Sequence, residues 1–126
     1  GKEFTGIPGS SNWYGFGFIT YSNKAKLKIL GVTKDTLIEE GAVSEKVVKE
    51  MAEGALRNSG SDFAISISGI AGPTGGTDDK PVGTVCFGIG SQHNINCFTE
   101  YFKGDRDEVR KQSVAFALKE LLKCLQ

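Results

Sequence analysis

The sequence predicts an α/β protein, a three-layer α/β/α sandwich around a mixed, mostly parallel sheet. Three observations carry this. Some short runs are apolar or small on both faces, as covered strands are. Other runs repeat apolar residues at helical spacing between a capping residue and a glycine. The elements also read in the order β-α-α-α-β-β-β-α, which suits layered α/β packing.

The opening stretch GKEFTGIPGSSNWY is rich in Gly, Ser and Pro and reads as loop or turn. GFGFITYS (15–22) follows, with Phe16, Phe18 and Thr20 alternating against Gly17, Ile19 and Tyr21. Apolar character on both sides predicts a first strand, covered on both faces. Ser22 or Asn23 then caps a helix over KAKLKIL that stops at Gly31. A second short helix is predicted over 35–40, with Thr33 or Lys34 near its start.

The clearest helix starts after Ser44, a good N-cap, with Glu45 at the positive end of the dipole. Its stripe is Val47, Val48, Met51, Ala52, Ala55 and Leu56, and NSGSD ends it. FAISIS (63–68) puts Phe63, Ile65 and Ile67 on one face and small Ala64, Ser66 and Ser68 on the other. Small residues let a helix pack close, so this run is read as a central strand. GTVCFGIG (83–90) and INCFTEYF (95–102) form a hairpin through the SQHN turn. The last helix opens at Asp105 with Glu108 three residues on, an analogue of the capping box. Val114, Ala117, Leu118, Leu121, Leu122 and Leu125 supply its predicted stripe.

Composition excludes several classes. The 126 residues fit one domain, and 15 basic against 15 acidic residues leave no net charge. A nucleic-acid binder needs a basic footprint, which is missing here. No apolar run approaches the ~18 residues of a membrane span, and no secretory signal pattern is seen. These readings predict a cytoplasmic protein with no nucleic-acid or membrane partner. Cys86, Cys97 and Cys124 are odd in number and form no C-x-x-C pair, so buried reduced thiols are expected. His93 is the only histidine and lies in a polar turn. A nucleophile here cannot lean on a His base.

Three stretches could carry chemistry. SGIAGPTGGTDDKPVGT (68–84) is a strand entering a glycine-rich turn, a common way to aim N–H groups at an anion or carbonyl oxygen. It is neither a Walker loop nor a dinucleotide fingerprint, and on spacing it reads equally well as a Gly/Pro connection. Lys80 could meet a phosphate, although a solvated lysine beside Asp78 and Asp79 is the plainer reading. In TYSNKAK (20–26), Tyr21 closes a strand and Lys26 lies in the first turns of the next helix, so both can face one cleft. Lys26 would act as a base only with a depressed pKa; the plainer reading packs Tyr21 and solvates Lys26. Ser44 is explained by capping alone. A hydrolase built on Asp78, Asp79 and Asp105 finds no defined metal spacing.

Taken together, PGSS, ITYSNKAKLKILGV, GAVSEKVVKEMAEGAL, SISGIAGPTGGTDDKPVGTV and GDRDEVRKQSVAFAL make the chain resemble the CinA C-terminal domain family. Its stand-alone members are nicotinamide-nucleotide amidases. The resemblance runs from about Ile7 to the last helix. It implies hydrolysis of nicotinamide mononucleotide to nicotinate mononucleotide and ammonia in pyridine nucleotide salvage. It also implies a three-layer fold and no cofactor or metal. Tyr21 and Lys26 match the family's catalytic tyrosine and lysine. Asn23, Ser44, Ser68, Gly69, Gly72, Gly75, Gly76, Thr77 and Lys80 would line the nucleotide site. The family's serine nucleophile lies in a motif like ESCTGG upstream of PGSS. The expectation is therefore a single domain, 1–126, without that nucleophile or the family's first strand, and inactive by itself. An exposed sheet edge would invite pairing into a homo-oligomer. The competing expectation is a non-catalytic CinA-like binding or partner module.

Overall fold

Local capping decides where the helices of this protein begin and end. In the computed structural model, which describes residues 1–126, Ser22 Oγ accepts from Ala25 N–H at 3.0 Å and starts α2, Asn23–Leu30. Gly31 ends it with φ 72°, a left-handed conformation that glycine adopts without steric cost. Thr33 caps α3, Lys34–Glu40, and Ser44 caps α4, Glu45–Ser59. Asp105 caps α5, Arg106–Leu125, with both bonds of a capping box: Glu108 N–H to Asp105 Oδ1 and Asp105 N–H to Glu108 Oε1. Each such cap contributes about 1 kcal/mol. All four helices lie where capping logic predicts them.

The opening stretch is more ordered than a plain loop. It holds a helical turn, α1, Lys2–Thr5, and a 3-10 turn, Ser10–Asn12. Phe4 stacks on Tyr14 and meets Trp13 edge-on, which ties the two turns together.

Residues 15–22 are not a strand. Residues 15–21 make no backbone–backbone hydrogen bond, and Phe16, Ile19 and Tyr21 are exposed. Alternation can predict a face but cannot supply a ladder partner, and none lies alongside. Two residues of the segment turn inward: Phe18 packs against the core cluster that includes Leu30 and Val32, and Thr20 is buried.

The sheet has three strands in the order β1-β2-β3: β1 Ala64–Gly69, β2 Thr84–Ser91 and β3 Asn94–Tyr101. Both pairings are antiparallel, so the expected mixed, mostly parallel sheet is wrong. The physical reason lies in the connections. β1 joins β2 through a glycine-rich turn and β2 joins β3 through a tight turn at Gln92–His93, and neither is a helical crossover. β2 is the central strand and is buried along almost its whole length, whereas β1 is an edge strand.

Helices cover both faces. On one, α4 sets Val47, Val48 and Met51 against Cys86 and, with α2, Leu30 and Val32. On the other, α5 sets Val109 and Ala117 against Val85, Phe87 and Ile89. The small face of β1 does bring α4 close, because Ser66 Oγ donates to Val48 O at 2.5 Å. The stripe of α5 departs from expectation. Val114, Leu122 and Leu125 are exposed, and the buried line is Val109, Ser113 and Ala117. Ser113 tolerates burial because its hydroxyl donates to Val109 O at 2.7 Å within the helix. No helix is long and apolar enough to cross a membrane.

Candidate active site

Strand alternation divides the end of β1 between two faces. Ile67 and Gly69 point toward α5, and Ser68 points toward α4. On the α5 side a cleft of about 590 Å³ opens between β1, the glycine-rich loop and the first turns of α5. Such a volume suits a small organic ligand. Ile67, Ile70, Ala71 and Val85 give it an apolar floor, and Arg106 and Arg110 stand on one side. Tyr21, 85% exposed, reaches it from the segment before α2.

The glycines have two different jobs. A Cβ on Gly69 would stand 2.8 Å from Val85 Cγ2, one on Gly72 2.5 Å from Val82 Cγ1, and one on Gly76 2.6 Å from Val82 N. These three let the loop fold onto its own returning limb. Gly75, with φ 95°, meets only Ile70 Cγ2 at 3.5 Å and is needed for conformation. Gly69, Gly72 and Gly75 also line the cleft, and Gly76 and Thr77 do not. Thr77 closes the loop tip, where its N–H donates to Lys80 O at 2.8 Å.

The remaining site residues lie away from the cleft. Ser44 Oγ donates to Gly41 O at 3.0 Å and accepts from Val47 N–H at 3.2 Å. Ser68 Oγ donates to Ala42 O at 2.7 Å, and Lys80 Nζ donates to Glu40 O. These three polar groups are engaged with the backbone of the α3–α4 connection. Asn23 is exposed at the first position of α2.

Lys26 is buried, at 6% exposure, and its Nζ donates to Thr20 O at 2.8 Å. Burial pushes its pKa below the usual lysine value. That is the shift a lysine base needs. It occupies the fourth position of α2 and is absent from the cleft lining, which Tyr21, the residue before the cap, joins. The two side chains make no hydrogen bond with each other. Cys86 and Cys97 have thiols pushed up chiefly by burial, which suits packing and not nucleophilic attack.

Sequence reasoning passed over Arg106 and Arg110. Charged residues on the first turns of a helix read as a solvated face, and only the fold sets them beside the glycine loop. Arg106 Nη1 donates to Gly72 O at 2.9 Å, and Arg110 makes no hydrogen bond or ion pair. Two guanidinium groups facing one cleft favour a phosphate or carboxylate.

A family model described as the CinA C-terminal domain matches residues 1–125. The chain belongs to this family. Among family relatives, the nicotinamide-nucleotide amidohydrolase PncC of Escherichia coli K12 is 53% identical over 95% of this chain and 73% of its own length. A CinA-like protein of Fervidobacterium nodosum is 46% identical over 98% of this chain but only 31% of its own length. The crystal structure of a competence/damage-inducible protein from Agrobacterium tumefaciens superposes with a TM-score of 0.93 at 41% identity, covering 97% of this chain and 75% of that one. A CinA superfamily protein from Escherichia coli gives 0.90 at 38%, covering 97% and 73%.

Proposed function

We propose that these residues form most of the site of a nicotinamide-nucleotide amidohydrolase. The observation that carries this is 53% identity, over 95% of the chain, to relatives bearing that name. The substrate by this reading is nicotinamide mononucleotide. Water adds to the carboxamide carbon, the C–N bond breaks, and nicotinate mononucleotide and ammonia leave.

The geometry supports the reading. The cleft joins an apolar floor for a flat ring to two guanidinium groups for a phosphate. Lys26 is assigned as the base on the family pattern and on the downward shift that burial gives its pKa; its side chain is not part of the cleft lining. Tyr21 reaches the cleft and relays a proton or donates to the developing oxyanion. Gly69, Gly72 and Gly75 form the wall through backbone alone. Arg106 and Arg110 bind the phosphate, a role that Ser44, Ser68 and Lys80, held by backbone carbonyls, are poorly placed to share.

No ESCTGG stretch occurs among the 126 residues. The reading therefore predicts binding without turnover for these residues alone. Ammonia release from nicotinamide mononucleotide, followed for residues 1–126 and for the protein's natural chain, tests it. Normal turnover by the 126 residues would refute this division of roles. No release by the natural chain would refute the amidase reading.

A further inference from the structure

The loop between β1 and β2 presents an exposed tip, residues 73–79. Its base closes on the sheet: Ile70 N–H donates to Thr84 O at 2.9 Å and Gly83 N–H to Ile70 O at 2.8 Å. Its tip is a local turn, with Thr77 N–H bonded to Lys80 O and Lys80 N–H to Thr77 Oγ1. Only two hydrogen bonds tie the loop to the helices, and both come from cations. Arg106 of α5 donates to Gly72 O at 2.9 Å. Lys80 donates through Nζ to Glu40 O, at the end of α3.

The Lys80 anchor is well founded. The last carbonyls of a helix lack intrahelical partners and carry its negative end, so an ammonium there is favoured. Gly41 follows with φ 79°, and a Cβ at that position would stand 3.1 Å from Nζ, so the glycine leaves the cation room. The same connection is fixed to the sheet, since Ser68 Oγ donates to Ala42 O at 2.7 Å. Lys80 itself is absent from the cleft lining, but Gly72, Thr74 and Gly75 are part of it. Any influence of Lys80 on a ligand must pass through the loop.

We propose that Lys80 is a positioning residue: docked on the end of α3, it straps the glycine-rich loop into the shape that walls the cleft. Arg106 holds the same loop from the α5 side. A loop pinned from both helical layers presents a preformed wall, and a ligand entering it has less ordering cost to meet. The amidase reading enters only in the choice of substrate.

The test compares Lys80→Met and Lys80→Arg in the protein's natural chain. Met keeps the aliphatic stem and removes the donor, whereas Arg keeps a donor. Amide hydrogen exchange at Thr77, whose N–H closes the loop tip onto Lys80 O, should quicken about tenfold in the unliganded Lys80→Met protein, the scale of one charge-assisted bond, and return toward the original rate in Lys80→Arg. KM for nicotinamide mononucleotide should rise about tenfold with kcat nearly unchanged. Unchanged loop exchange overturns the proposal, as does faster loop exchange with KM unaltered. Equal loosening of α4 also overturns it, because the contact would then serve the fold as a whole. If the unsubstituted protein releases no ammonia, the amidase reading fails, and the loop exchange still decides the strap.

Discussion

Lys26 keeps 6% of its surface exposed, and its three-donor ammonium has one protein acceptor, Thr20 O at 2.8 Å. Burial lowers its pKa from 10.5, so unfolding lets the side chain bind a proton more readily. Stability from this group is therefore fully present above pH 10.5 and is lost as pH falls through the lowered folded value. In Lys26→Met that dependence is absent. Thermal melts between neutral pH and pH 10.5 should show a smaller gain for the variant than for the original, and an equal gain would contradict the burial argument. The same substitution should lower amide hydrolysis by about 100-fold or more, the usual contribution of a positioned base. Tyr21 is 85% exposed, so Tyr21→Phe should leave stability within about 0.5 kcal/mol and lower turnover about 100-fold. A matching loss of stability would mark it as a packing residue. At this scale the sequence named Tyr21 and Lys26 through a family pattern. It missed Arg106 and Arg110, because only tertiary structure brings helix-surface charges to a cleft.

Elements that rest on local chemistry were legible, and elements that need a distant partner were not. Ser22, Thr33, Ser44 and Asp105 start their helices by bonds within three residues of chain, so their positions are readable in order. Residues 15–22 carry strand alternation but find no ladder. The contact between α2 and α4 was equally hidden. A Cβ on Gly54 would meet Leu30 O at 1.8 Å, so only glycine allows this crossing. Gly54→Ala must push α2 away from α4, at a cost of about 1–3 kcal/mol. A urea midpoint should fall accordingly. Because α2 also holds Lys26, hydrolysis should fall with it. A variant as stable as the original would show that the helices can part freely.

For the whole molecule, antiparallel order puts the glycine-rich turn and the start of α5 at one end of β1 and β2, and the cleft forms there. The sequence anticipated helices on both faces and the β2–β3 hairpin, but not the antiparallel pairing of β1 with β2, because apolar runs carry no sign of direction and only connection geometry sets it. The glycine stretch serves two ends: Gly69, Gly72 and Gly76 permit self-packing, and Gly69, Gly72 and Gly75 give the cleft a side-chain-free wall. On this reading Lys26, whose pKa burial lowers, is the base for hydrolysis of a nucleotide amide. Ammonia release from nicotinamide mononucleotide by the protein's natural chain, with Lys26 intact and with Lys26→Met, is the deciding measurement. Steady release is expected from the first and about 100-fold less from the second; equal rates, or no release by the intact protein, would rule out Lys26 as the base.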